Sequence, residues 1–115
     1  MKRLRLYLDT TIWNFPFTED APEKKADTLD FFQKVRWGSF DIYASQVVLQ
    51  ELEAAPATRL SQIEKLWQET GPNMLSVPQE ARELAVLYLK YKALPARSIA
   101  DALHVALTTI HQMDA

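Results

Sequence analysis

The sequence predicts an α/β fold: a central parallel sheet covered by helices on both faces. Two observations carry this expectation. Short apolar runs alternate along the chain with longer amphipathic stretches, and Gly, Pro and Ser punctuate the places where elements should begin and end. Parallel strands in such a fold are joined by right-handed crossovers. The first run, Leu4 to Leu8, is apolar and bounded by charge, as a strand buried on both faces is, and its carboxyl end delivers Asp9. A loop containing Asn14, Pro16, Asp20 and Pro22 follows. From Pro22 to Trp37 the spacing sets Ala26, Leu29, Phe32 and Val35 on one helical stripe, which Gly38 can end. Asp41 to Ala44 reads as a second strand. Ser45 is placed to cap a helix carrying Val47, Val48, Leu49, Glu51 and Leu52, which Pro56 breaks.

A further helix from about Thr58 carries Leu60, Ile63, Leu66 and Trp67 before Gly71 and Pro72 stop it. Met74 to Val77 reads as a third strand. Pro78 can open the next helix, with a stripe of Ala81, Leu84, Ala85, Tyr88 and Tyr91 closed by Pro95. Ser98 caps the last helix. There Ala102, Leu103, Val105, Ala106, Leu107 and Ile110 cover so much of the circumference that the helix should be mostly buried.

Bulk composition narrows the function classes. The 115 residues suit one domain, 1–115, and 48% hydrophobic content is enough for an ordinary core. Lys plus Arg number 13 against 15 Asp plus Glu, a net charge of −2, which excludes a broad basic footprint for nucleic acid and requires any polyanion to be engaged locally. No cysteine is present and there are two histidines, so disulfides and thiolate sites are excluded and zinc is disfavoured. MKRLRLYLDTT lacks the features of a signal peptide, and no apolar stretch reaches the roughly 18–20 residues that span a bilayer. The expectation is a cytoplasmic protein with no membrane segment.

In an open parallel sheet, ligand sites form beyond the carboxyl ends of the strands. Three acids can meet there: Asp9 after the first strand, Glu51 in the helix after the second, and Asp101 at the start of the last helix. Like charges at close range raise one another's pKa. A hard ion such as Mg²⁺ or Mn²⁺ relieves that repulsion and can activate water against a phosphodiester. Each acid also has a purely structural reading. Asp9 can bond the backbone amides of the turn that follows it. Glu51 sits in the apolar run VVLQEL, where a carboxylate needs a partner. Ser98 and Asp101 have the form of a capping box, and Asp101 complements the helix dipole. Thr10 can hydrogen-bond a phosphate or cap a turn. His104, one turn after Asp101, can orient a carboxylate or simply pack. Trp13, Phe15, Phe17, Trp37 and Trp67 can stack bases or fill the core. Lys2, Arg3, Arg5, Lys24, Lys25, Lys34 and Arg36 can steer phosphate or merely solvate a face.

Taken in order, LYLDTTIWN, ASQVVLQEL and SIADALHVALTT resemble the three successive acidic motifs of the PIN-domain family, specifically its VapC-like bacterial ribonuclease toxins. The resemblance covers essentially the whole chain. It implies a three-layer α/β/α PIN-like fold and Mg²⁺ or Mn²⁺ held by Asp9, Glu51 and Asp101, with Thr10 and Ser45 flanking the site and His104 in an Ala-Leu-His subgroup pattern. It further implies an RNA substrate, a small antitoxin that occupies the groove, and a homodimer. Members typically continue with a fourth strand, an acidic or Asn-bearing motif, and a final helix and strand. This sequence ends at Asp114 and Ala115, so the last strand and helix are expected to be missing, with a sheet edge exposed. Asp114 falls where the fourth strand would begin. The competing expectation is a catalytically inactive remnant that binds protein. An aspartyl phosphotransferase would need a second Asp where Thr11 stands.

Overall fold

The computed structural model describes residues 3–92 and 98–115. Its strands are β1 (Leu4–Tyr7), β2 (Phe40–Ser45) and β3 (Asn73–Leu75), parallel and in the order β1-β2-β3. The helices are α1 (Thr10–Asn14), α2 (Pro22–Arg36), α3 (Gln46–Leu52), α4 (Ala57–Thr70), α5 (Gln79–Lys90) and α6 (Ile99–Ile110). The result is a mixed α/β arrangement with helices on both faces of the sheet. Register pairs Leu6 with Ile42 and Tyr7 with Tyr43, so alternation sends Leu6, Phe40 and Ile42 to one face and Tyr7, Tyr43 and Ser45 to the other. Phe31 of α2 stacks on Phe40 at 5.4 Å across the first face, while His104 of α6 meets Tyr7 on the second.

Several sequence expectations need correction. The segment after β1 is not a plain loop: α1 forms there, and a short 3-10 turn follows over Phe15–Phe17. Asp9 starts α1 by accepting the Thr11 and Ile12 N–H groups on Oδ1, at 3.1 and 3.4 Å. In α2 the buried face is Thr28, Phe32 and Val35, with Phe31 half-buried, while Ala26 and Leu29 are exposed. A strict three-residue spacing drifts by about 60° per step around a helix of 3.6 residues per turn, which carries Ala26 and Leu29 off the core side. Helix α6 buries Ala102, Leu103, Ala106 and Leu107 of its expected apolar set, while Val105 and the first residue, Ile99, are exposed. Ser45 occupies the N-cap position of α3, yet its side chain makes no capping bond. Pro95, expected to close the segment after α5, lies outside the described residues.

The apolar core centres on Trp13, which is fully buried between Phe32 at 5.3 Å and Trp67 at 4.7 Å and donates its indole N–H to the Leu8 carbonyl at 3.2 Å. This cluster anchors α1 against α2 and α4, and so fixes the helix that starts at Asp9. Gly71 ends α4 in the left-handed conformation at φ 56°, where a side chain would be strained. The outer edge of β1 is not bare. Asp114 donates its N–H to the Arg5 carbonyl at 2.8 Å and accepts the Arg5 N–H on Oδ2 at 2.7 Å, and Ala115 accepts the Tyr7 N–H at 2.9 Å. Residues 114 and 115 thus run alongside β1 in the same direction. Next to them opens an apolar cavity of about 330 Å³ lined by Leu6, Leu8, Ile12, Phe31 and Ala115. None of the described helices is long and apolar enough to cross a membrane.

Candidate active site

Beyond the carboxyl ends of β1 and β2, five elements contribute to one chain of hydrogen bonds. β1 supplies Tyr7, the start of α1 supplies Thr10, the end of β2 supplies Ser45, the last turn of α3 supplies Glu51, and α6 supplies His104. The Ser45 Oγ and the Tyr7 hydroxyl lie 2.8 Å apart, and the Tyr7 hydroxyl lies 2.7 Å from Nδ1 of His104. The opposite ring nitrogen, Nε2, bonds Oε1 of Glu51. Thr10 donates its hydroxyl to that same oxygen at 2.8 Å. Ser45 is fully buried, Tyr7 and His104 nearly so, and Glu51 stands at the mouth with a third of its side chain accessible. Polarity increases along the chain from the buried serine to the accessible carboxylate.

The location of Glu51 follows from the sequence. VVLQEL is apolar on both sides of it, and Val47, Val48 and Leu52 are buried, so α3 is pinned against the core and its acid cannot swing freely. Both of its hydrogen bonds fall on Oε1. Among the described residues Oε2 carries none. Asp9 is similarly divided, with Oδ1 committed to the α1 cap and Oδ2 carrying no hydrogen bond among the described residues. Each acid therefore offers one oxygen, the hard donor that Mg²⁺ and Mn²⁺ favour. The two charges are close enough to be felt at Tyr7. Burial is the main influence pushing the Tyr7 hydroxyl up to about 12; the Ser45 hydrogen bond opposes it, and Asp9 and then Glu51 add to the rise.

Asp101 comes from a different element, α6. It lies exposed in the first turn of α6, its backbone N–H held by Ser98 Oγ at 3.2 Å, which bears out the capping half of the expected motif. Among the described residues no three His, Cys, Asp or Glu side chains assemble into a group able to hold a metal. The structure thus brings Thr10, Ser45, Glu51 and His104 into one network, sets Asp9 next to it, and leaves Asp101 on the exposed turn that precedes His104.

Tyr7 is the member that sequence reasoning missed. Inside an apolar strand it gives no periodic signal of its own, although a tyrosine at a buried strand position needs a partner for its hydroxyl, and that requirement is the available signal. Of the other side chains singled out, Trp13 is core and Trp37 is exposed. The cations expected to steer phosphate are largely engaged: Arg3 pairs with Asp41, Lys25 with Glu19, Lys34 with Asp30 and Arg36 with Glu69, while Arg5 lies over the Tyr43 ring. Lys24 stands over Phe15, and Lys2 lies outside the described residues. His111 contacts the Ser76 carbonyl at 2.8 Å and ties the end of α6 to the loop after β3. Comparison with protein-family models, with curated proteins and with solved structures returned no match for this chain.

Proposed function

We propose that this chain is a metal-dependent endoribonuclease of the PIN type, hydrolysing RNA phosphodiester bonds with Mg²⁺ or Mn²⁺. The observation that carries the reading is the held carboxylate. Glu51, in the last turn of the helix that follows β2, is clamped through Oε1 by Thr10 and His104, while Asp9, just after β1, keeps one oxygen without a hydrogen bond among the described residues. Hydrogen bonds that tether one oxygen of a carboxylate and leave the other open are what orient a metal ligand. A solvent-facing glutamate kept only for solubility has no need of two donors.

In this reading Asp9 and Glu51 would hold the ion, and Asp101, in the first turn of α6, would complete the ligand set. The ion, when bound, supplies Lewis acidity and a nucleophile at neutral pH. The protein's own residues do the remaining work. Thr10 and His104 keep Glu51 from rotating, the α1 cap fixes Asp9, and the packed α3 keeps the backbone beneath Glu51 still. With Arg3, Lys25, Lys34 and Arg36 held in ion pairs, RNA is recognised by the shape of the rim and by a few local contacts. The toxin and antitoxin context, with a small protein inhibitor and a homodimer, belongs to this same proposal.

The test is cleavage of a panel of structured RNAs with Mg²⁺ or Mn²⁺. Cleavage that is lost in Asp9→Asn and in Asp101→Asn is the expected result. Intact RNA, with Asp9→Asn indistinguishable from the parent, ends the proposal. A second reading draws on the lack of a three-group metal cluster among the described residues. In that reading the chain is a PIN-like binding module without catalysis, and it would bind a protein partner but no divalent ion.

A further inference from the structure

We propose that Tyr7 is the positioning residue of this site: fed by the Ser45 hydroxyl, it fixes the tautomer of His104 so that Nε2–H is the donor to Glu51 and Oε2 is left as the ligand-facing oxygen. The argument begins at the buried end. Ser45 is fully buried, and although it heads α3 it makes no capping bond. Among the described residues, its side chain has the Tyr7 hydroxyl as its one hydrogen-bond partner. The serine hydrogen therefore has a single acceptor, the Tyr7 oxygen. The reverse polarity would leave a hydroxyl hydrogen unpaired where water cannot reach it.

The remaining directions follow in sequence. With its oxygen accepting from Ser45, Tyr7 directs its own hydrogen at Nδ1 of His104, 2.7 Å away. Nδ1 must then present its lone pair. The ring proton resides on Nε2, facing Oε1 of Glu51, where a bare nitrogen would instead oppose a carboxylate. One serine hydrogen thus sets the direction of every bond up to the accessible acid. The relay stands on geometry alone; only its last clause, the ligand-facing oxygen, rests on the metal-site reading.

The deciding experiment is side-chain ¹⁵N–¹H correlation spectroscopy on the full chain, with the two histidines told apart by His111→Gln. The expected pattern for His104 is a protonated Nε2, a bare Nδ1 and a slowly exchanging Tyr7 hydroxyl proton. Tyr7→Phe should release the lock and give mixed protonation of the ring. It should also weaken Mn²⁺ binding by roughly 3–10-fold, less than the 10–100-fold usual for a group one bond closer to a metal ligand. Protonation of Nδ1 in the parent protein, alone or together with Nε2, overturns the relay without any variant having to fold. The stated tautomer in a chain that binds no Mn²⁺ supports the relay and overturns the metal-site reading instead. Unchanged His104 signals in a folded Tyr7→Phe protein overturn the role given to Tyr7.

Discussion

Two buried clusters lie within a few residues of each other in the chain and are held by opposite means. Around Trp13, three aromatic rings fill space, with one indole N–H bond to the backbone. Around Tyr7, burial is polar throughout, and each group depends on the next for its hydrogen bond. Among the described residues no buried side-chain N or O atom lacks a partner, so the polar cluster leaves none of its donors stranded. The contrast separates two jobs. The aromatic cluster tolerates approximate shape and supplies stability. The polar cluster contributes less net free energy, because its bonds replace bonds to water, but it specifies one arrangement of one carboxylate.

The largest effect that probes this contrast is Trp13→Ala. Removing the central ring should cost about 3–5 kcal/mol in urea unfolding, by loss of transfer free energy and by the cavity left behind. A loss below 1 kcal/mol would show that the aromatic cluster is not the main source of stability.

Alkaline pH gives the next largest effect, and it reports on the polar cluster. The Tyr7 hydroxyl ordinarily titrates at 10.0 and is pushed to about 12 in the folded state, so the folded protein holds this proton where the unfolded chain has released it. The stabilisation is fully present below pH 10 and is lost as pH rises toward 12. Two pH units correspond to roughly 2–3 kcal/mol. Tyr7→Phe should flatten that portion of the stability curve, and a parent curve already flat between pH 10 and 12 would contradict the burial assigned to Tyr7.

The smallest effect separates capping from ligation at Asp9. Asp9→Ala should cost about 1 kcal/mol through loss of the α1 cap, whereas Asp9→Asn keeps an acceptor at the cap and should cost only a few tenths. Equal losses in thermal unfolding for the two variants would show that the charge, rather than the cap, stabilises this end.

Much of the fold was legible because periodicity and punctuation agreed. Pro22 at the start of α2, Gly71 at the end of α4 and Ser98 at the cap of α6 stand where backbone chemistry predicts them. The turn of helix after β1 was not legible, since α1 is too short to show a period and its one signal, Asp9 as an N-cap, has the same form as an acid that bonds a simple turn. At the site, Glu51 and His104 were marked by an acid and a histidine set among apolar neighbours. Their mutual contact, and the link through Tyr7 to Ser45, depend on α6 crossing the face of β1, and spacing along a chain does not encode which helix lies over which strand. Asp101 shows the converse. A capping box is a local signal, so its structural half could be read directly, while any relation of Asp101 to Asp9 and Glu51 is a matter of tertiary placement that a local motif does not encode.

The central claim is that Glu51 is held for a cation, and titration calorimetry of Mn²⁺ into the parent protein and Glu51→Gln tests it most directly. The account predicts saturable binding in the micromolar to millimolar range, weakened at least about 10-fold in Glu51→Gln at unchanged melting temperature. Heats indistinguishable between the two proteins, or no binding by either, would contradict it.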